Sequence, residues 1–213
     1  MQFTVLNSQS LAEAAVLLAN RDRNFARILK THGNPPLWRR PATFTTLVKI
    51  ILEQQVSLKS ADAMYRKLRA AINPFTPASL LDLGSDHLKS LGVTRQKTAY
   101  LLYLSSAIVD RTLNLRKLPS MSDADVKETL MQIKGLGSWS ADVYLLMAMR
   151  RADVWPSGDL ALAVAVKELH GLERRPTFEE LERIAEKWRP HRAVAARMLW
   201  QYYLGRRTNG GKQ

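Results

Sequence analysis

The chain contains no cysteine, which removes disulfides, thiolate zinc sites and cysteine-held iron–sulfur clusters. Its four histidines are scattered and never paired at i, i+4, so a histidine metal site is not expected either. No apolar run is longer than Val143 to Met149, which is far too short to cross a bilayer. The first residues, Met-Gln-Phe-Thr-Val-Leu-Asn, lack a basic start followed by an apolar stretch. No secretory leader is therefore expected, and a cytoplasmic or nucleoid location is the simplest expectation. Alternating strand patterns are absent apart from Phe3-Thr4-Val5, and no repeat or low-complexity linker interrupts the chain. Acids are also scarce: 19 Asp and Glu stand against 32 Lys and Arg, a net charge of +13. A basic excess of that size points to a polyanion, nucleic acid above all, with a merely solubilising surface as the plainer alternative.

What remains is helix. With 213 residues, 46% of them hydrophobic, the chain can bury a sizeable core and is not disordered. Leu11, Ala14, Ala15 and Leu18 recur at helical spacing behind Ser10, and Phe25, Ile28 and Leu29 repeat the pattern up to Gly33. Pro35 to Pro41 is a rigid loop with Trp38 among basic residues. An apolar helix from Thr43 runs into Glu53-Gln54-Gln55, and Ser57 caps the next. Short helices follow Thr76-Pro77 and Ser85, and a longer one starts at Thr94. Acids at Asp123 and Asp125 favour a helix start there, because the helix dipole stabilises negative charge at its N-terminus. Two later helices carry Leu162, Ala165, Val166 and Leu169, then Leu181, Ile184, Ala185 and Trp188. The last runs from beyond Pro190 to Gly205. The expectation is an all-α protein of about ten helices, compact or split into two helical lobes.

One stretch, Leu130 to Leu162, concentrates the chemistry. Gly135 and Gly137 flank Leu136 between two helical patterns, so the chain can reverse tightly with Leu136 tucked inward. The second helix would begin at Ser138 or Trp139 with its free N–H groups outward, an anion site suited to a backbone phosphate. An ordinary glycine-capped joint between helices fits the same residues. Further on, Asp159 stands alone at the mouth of an apolar helix, where Asp is also a preferred N-cap.

Ile133-Lys134-Gly135-Leu136-Gly137-Ser138-Trp139-Ser140-Ala141, followed by Pro156-Ser157-Gly158-Asp159-Leu160-Ala161-Leu162, resembles the helix-hairpin-helix DNA glycosylase superfamily. The similarity is greatest to its alkylation-repair branch, the 3-methyladenine DNA glycosylase II type. Ile51-Leu52-Glu53-Gln54-Gln55-Val56-Ser57, Leu91-Gly92-Val93-Thr94-Arg95-Gln96-Lys97 and Trp188-Arg189-Pro190-His191-Arg192-Ala193-Val194-Ala195-Ala196 agree with that branch and occur in its order.

The resemblance implies one glycosylase unit over 1–213, built as two helical lobes with the active-site cleft between them. Residues 1–45 with 170–205 would form one lobe. Residues 46–169 would form the other and carry the hairpin at 130–144, with 206–213 a polar, flexible tail. It implies a monofunctional enzyme that hydrolyses the N-glycosidic bond of 3-methyladenine and 7-methylguanine in duplex DNA, as a monomer and with no membrane partner. Excision of deaminated or etheno-adducted bases, or a non-catalytic DNA-binding module, are the alternatives.

The resemblance also assigns roles. Asp159 becomes the catalytic carboxylate, a role compatible with capping. Trp139 lies where bifunctional relatives carry a Schiff-base lysine, and it falls in the family's base pocket; Trp38 and Trp155 are further pocket candidates. A cationic base is held well by aromatic faces, although core packing is open for each tryptophan and is preferred for Trp188 and Trp200. Lys134, Gly135, Leu136, Gly137 and Ser138 would meet phosphate. Gln54, Gln55 and Ser57 would meet DNA, with Gln55 filling the gap left by the flipped base, unless the two glutamines are simply solvated. No cofactor is required, but carbonyls of Met131, Ile133 and Leu136 match positions that hold a structural Na+ or K+. Departures from the pattern are Lys134 in place of a proline, Gly158 in place of a second acid, and no room for the extra β-rich domain of some members.

Overall fold

The computed structural model describes residues 4–209, the last three of these by backbone alone. The expected strand at Phe3-Thr4-Val5 begins outside the described residues, and Val5 forms an isolated antiparallel bridge with Arg151. Among the described residues everything else regular is helical. In chain order the helices are α1 (Ser8–Arg21), α2 (Arg23–His32), α3 (Phe44–Glu53), α4 (Leu58–Ala71), α5 (Pro77–Ser90), α6 (Arg95–Val109), α7 (Asp123–Met131), α8 (Ser138–Met147), α9 (Leu160–His170), α10 (Phe178–Ala185) and α11 (Arg192–Asn209). Helix α5 is broken at Gly84, where φ is 76°, so it is the pair of short helices that the sequence pattern implies.

Contacts divide the chain into two compact units, one made of residues up to Arg39 and from Arg150 onward, the other Arg40–Met149. These limits differ from the expected 45/46 and 169/170. The reason is packing: α9, expected in the hairpin lobe, packs on α11, so Asp159 belongs to the first unit. The last helix also runs past Gly205 to Asn209, which leaves only 210–213 of the expected tail, outside the described residues.

In the first unit α11 is the axis. Ala193 through Trp200 are all buried, and their small alanines let α1, α2 and α9 approach closely. Segment 150–153 lies between the N-terminal segment and the start of α11: Leu6 N–H donates to Arg150 O, and Ala193 N–H donates to Ala152 O. Asp153 there accepts from both Arg189 and Arg192. Trp155, Trp188 and Phe25 form a buried aromatic cluster, with centroids 5.4 Å and 5.2 Å apart across Trp188.

In the second unit α3 and α8 are the core helices. Both are apolar nearly all round, the pattern of a helix enclosed by others. Helix α3 packs against α4, α6 and α8, α5 against α6, and α7 against α8.

Tyr144 of α8 is fully buried, its hydroxyl has no hydrogen-bond partner, and burial pushes its phenol from 10.0 up to about 12. The unfolded phenol therefore loses its proton first, and stability falls as pH rises from 10.0 to about 12. Tyr144→Phe removes that term and keeps the ring. In urea unfolding at a series of pH values, the wild type is expected to lose stability over this window more steeply than the variant; equal slopes would contradict the account.

Candidate active site and nucleic-acid interface

In the first unit the feature is Asp159. It caps α9, its Oδ1 accepting the Leu162 N–H at 3.0 Å, so the capping role is real. The same oxygen accepts the indole N–H of Trp200 at 3.2 Å. Two donors on one oxygen fix the carboxylate's orientation, and the positive end of the α9 dipole favours negative charge there. The residue is 8% exposed, which shields that charge from solvent and strengthens its field. Just before it in the chain, Gly158 has φ 80°, and the Ser157 hydroxyl donates to Glu182 of α10.

Trp200 is the residue whose polar contact sequence reasoning missed. It lies in the interior as expected, but its polar edge is turned to the carboxylate, and its ring meets Trp38 at 6.3 Å between centroids and 62° between planes. The structure thus brings Trp38, half-buried, into the neighbourhood of Asp159 through Trp200. Trp155, by contrast, is 5% exposed and packed on Trp188, the core alternative to its pocket role. No pattern in the sequence could have shown the Trp200 contact, since 41 residues separate donor and acceptor.

In the second unit the feature is the α7–α8 hairpin. Gly135 has φ 98°, and a Cβ built on it would lie 2.2 Å from the Tyr100 ring, so both conformation and packing demand glycine. Leu136 is 2% exposed, tucked inward as expected. Gly137 differs: its φ is −85° and nothing lies within 4 Å of its Cβ position. It is the N-cap of α8, and no side chain caps that helix. The α8 N-terminus thus offers N–H groups and open approach, which suits a phosphate. Lys134 is exposed and its ammonium lies over the Tyr103 ring at 5.0 Å. Behind the turn, buried Asp142 pairs with Lys127 at 3.0 Å and accepts from Ser138 Oγ at 3.2 Å, tying α7 to α8. The sequence reading missed Asp142 because Lys127 and Asp142 share no periodic spacing.

The glutamines behave differently from one another. Gln54, expected on DNA, donates from Nε2 to Gly135 O at 2.8 Å and Ser140 Oγ at 2.9 Å. Both amide hydrogens are engaged internally, so its role is to join the end of α3 to the hairpin. Gln55 is exposed and has φ 56°, a conformation that a non-glycine residue rarely adopts. Strain at an exposed polar residue on a braced turn suits a projecting wedge. The bracing is extensive: Arg40 grips Glu53 with two bonds of 2.9 and 2.8 Å, and Lys97 donates to Leu52 O at 2.6 Å. Burial lowers the Lys97 ammonium below its usual range. Ser57 caps α4 by accepting from Ser60 N–H, and it is exposed two residues after Gln55. Trp139, in the first turn of α8, is half-buried. Among the described residues no group of three or more His, Cys, Asp or Glu could hold a metal ion. No described helix is long and apolar enough to cross a membrane.

A family model for the HhH-GPD superfamily of base excision DNA repair proteins matches residues 48–191, a span that holds the hairpin, the Gln55 turn and Asp159. The chain belongs to this superfamily. Within it, the chain is 27% identical over 199 residues to DNA-3-methyladenine glycosylase 1 of Schizosaccharomyces pombe, covering 90% of this chain and 87% of that one. It is 25% identical to the YfjP protein of Bacillus subtilis over 84% of its own length and spans 65% of that longer protein. A solved HhH-GPD-type structure, the S. pombe 3-methyladenine DNA glycosylase in complex with abasic DNA, superposes with a TM-score of 0.81 at 26% identity, covering 89% of this chain and 95% of that one.

The two hairpin glycines separate folding from binding. Gly135→Ala is expected to cost at least about 2 kcal/mol, from positive φ and the Tyr100 overlap. Gly137→Ala is expected to cost under about 1 kcal/mol of stability but to weaken duplex binding, measured by fluorescence anisotropy. A Gly137→Ala protein that binds duplex as tightly as wild type would remove the hairpin from the interface.

Proposed function

We propose that the chain is a monofunctional DNA glycosylase that hydrolyses the N-glycosidic bond of alkylated purines, chiefly 3-methyladenine and 7-methylguanine, in duplex DNA. This is the first step of base excision repair, carried out where the genome lies, in the cytoplasm or nucleoid. The observation that carries the reading is Asp159, one buried carboxylate oriented by Leu162 N–H and Trp200 Nε1–H, in a chain of the HhH-GPD superfamily.

The chemistry follows from having one acid. Glycosidases ordinarily need a second carboxyl group to protonate the leaving group. An N3- or N7-alkylated purine is already cationic, so it departs without that proton. As the C1′–N bond breaks, its electron pair returns to the base, which leaves neutral, and the sugar becomes oxocarbenium-like. Asp159 stabilises that cation by charge and takes a proton from the water whose oxygen bonds to C1′. Aromatic faces hold such a base; in the first unit Trp38 and Trp200 are the candidates, and the family resemblance gives Trp139 the same role. With Trp139 where bifunctional relatives carry lysine, water is the nucleophile and the strand stays uncut. The α8 N-terminus and Lys134 hold phosphate, and Gln55 fills the vacated stack. Carbonyls of Met131, Ile133 and Leu136 are hard oxygen donors that suit Na+ or K+; that of Ile133 already accepts the Leu136 N–H at 2.9 Å. Such a cation would add positive charge beside the phosphate.

Asp159→Asn keeps the shape and the two hydrogen bonds to Oδ1 but removes the charge. Release of 3-methyladenine from methylated duplex is expected to fall at least about 100-fold with duplex affinity retained. Trp200→Phe, which loses one orienting donor, is expected to fall about tenfold. Wild-type release by the Asp159→Asn protein would refute the mechanism.

A further inference from the structure

Arg197 is the largest fully buried side chain among the described residues, at 0% exposure. It lies on α11, one turn before Trp200, in the middle of the helix that the first unit is built around. Burial lowers its guanidinium to about 10, still protonated at neutral pH. Taking such a charge out of water is costly, and an apolar chain of the same length would fill the space with less penalty. What the guanidinium supplies is direction. Its Nε donates to Leu37 O at 3.2 Å, across 160 residues of sequence, and its Nη1 donates to Ala193 O at 3.2 Å. The next residue after Leu37 is Trp38, held at φ 43°, a strained backbone for a bulky residue. Strain of this kind persists only where surrounding contacts impose it, and it gathers at functional sites. The Trp38 ring meets Trp200, and Trp200 donates to Asp159.

We propose that Arg197 is a positioning residue: by holding the Leu37 carbonyl it sets Trp38 against Trp200 and so shapes the aromatic wall beside Asp159. The proposal rests on the glycosylase reading for its consequence, faster release of the damaged base, but not for its structural content. Arg197 touches neither substrate nor reacting atoms in this role. A guanidinium fork of fixed geometry holds the carbonyl best; lysine keeps one charged donor on a flexible stem and can hold it in part, and Met carries no donor.

The test uses the full chain with Arg197→Met and Arg197→Lys. Three quantities are measured: kcat/KM per active site on methylated duplex, Kd for undamaged duplex, and amide hydrogen exchange of the peptide covering residues 34–39. The Met variant is expected to lose about tenfold in kcat/KM, with Kd unchanged within about twofold and exchange in the loop accelerated, while Lys recovers to within about threefold of wild type. A role confined to global stability would lower the melting temperature but leave kcat/KM per active site at the wild-type value in both variants, with no advantage of Lys over Met. Unchanged kcat/KM in the Met variant, a Lys variant no better than Met, or unchanged loop exchange would each overturn the proposal. If Met does not fold, loop exchange and kcat/KM in the Lys variant decide it. Should the wild type release no methylated base, the glycosylase reading falls, and loop exchange alone then settles whether Arg197 holds Trp38's loop.

Discussion

A single oxygen, Oδ1 of Asp159, accepts both the first-turn amide of α9 and the indole of Trp200. Most of the first unit can be followed outward from that point. Helix α9 must begin where it does for Leu162 N–H to reach the carboxylate, and α11 must pack on α9 for Trp200 to reach it. The alanines of α11 allow that packing, since larger residues would separate the helix axes. The bond that starts the helix therefore also orients the carboxylate, and a substitution that disturbs one disturbs the other.

The second unit solves a different problem: how to present backbone N–H groups to an anion without letting the turn collapse. Tyr100 packs where Gly135 has no side chain, Leu136 anchors inward, and the Lys127–Asp142 pair ties the two helices one turn behind the tip. Gln54 then links this assembly to the end of α3, so that the Gln55 turn and the hairpin share one support. A turn held from behind can leave its front open, and Gly137 is that front.

Much of this was legible in the sequence. Helical periodicity located the elements, even the break at Gly84, because apolar spacing is a local property. The inward Leu136, the capping Asp159 and the N-terminus of α8 followed from residue type and position. The unit boundaries did not, because α9 carries an apolar stripe that would suit either neighbour, and only packing on α11 decides. Nor did the partners of buried polar groups. Trp200 read as a core aromatic, which it is, but its N–H needs an acceptor and the sequence does not say which. Gln54 and Gln55 are adjacent and alike, yet one faces the hairpin carbonyl and the other solvent, a difference set by a single positive φ. Such contacts join residues tens of positions apart, beyond any local signal.

The excess of basic residues and the single acid fit one another. Positive charge draws the duplex in without regard to sequence, and one carboxylate is enough only where the leaving group brings its own charge. That dependence on the base's charge is the central claim, and the release rate across a panel of lesions in one duplex context tests it most directly. Cationic 3-methyladenine and 7-methylguanine are expected to be released far faster than neutral hypoxanthine, uracil or ethenoadenine. Faster release of a neutral lesion than of 3-methyladenine would contradict the account.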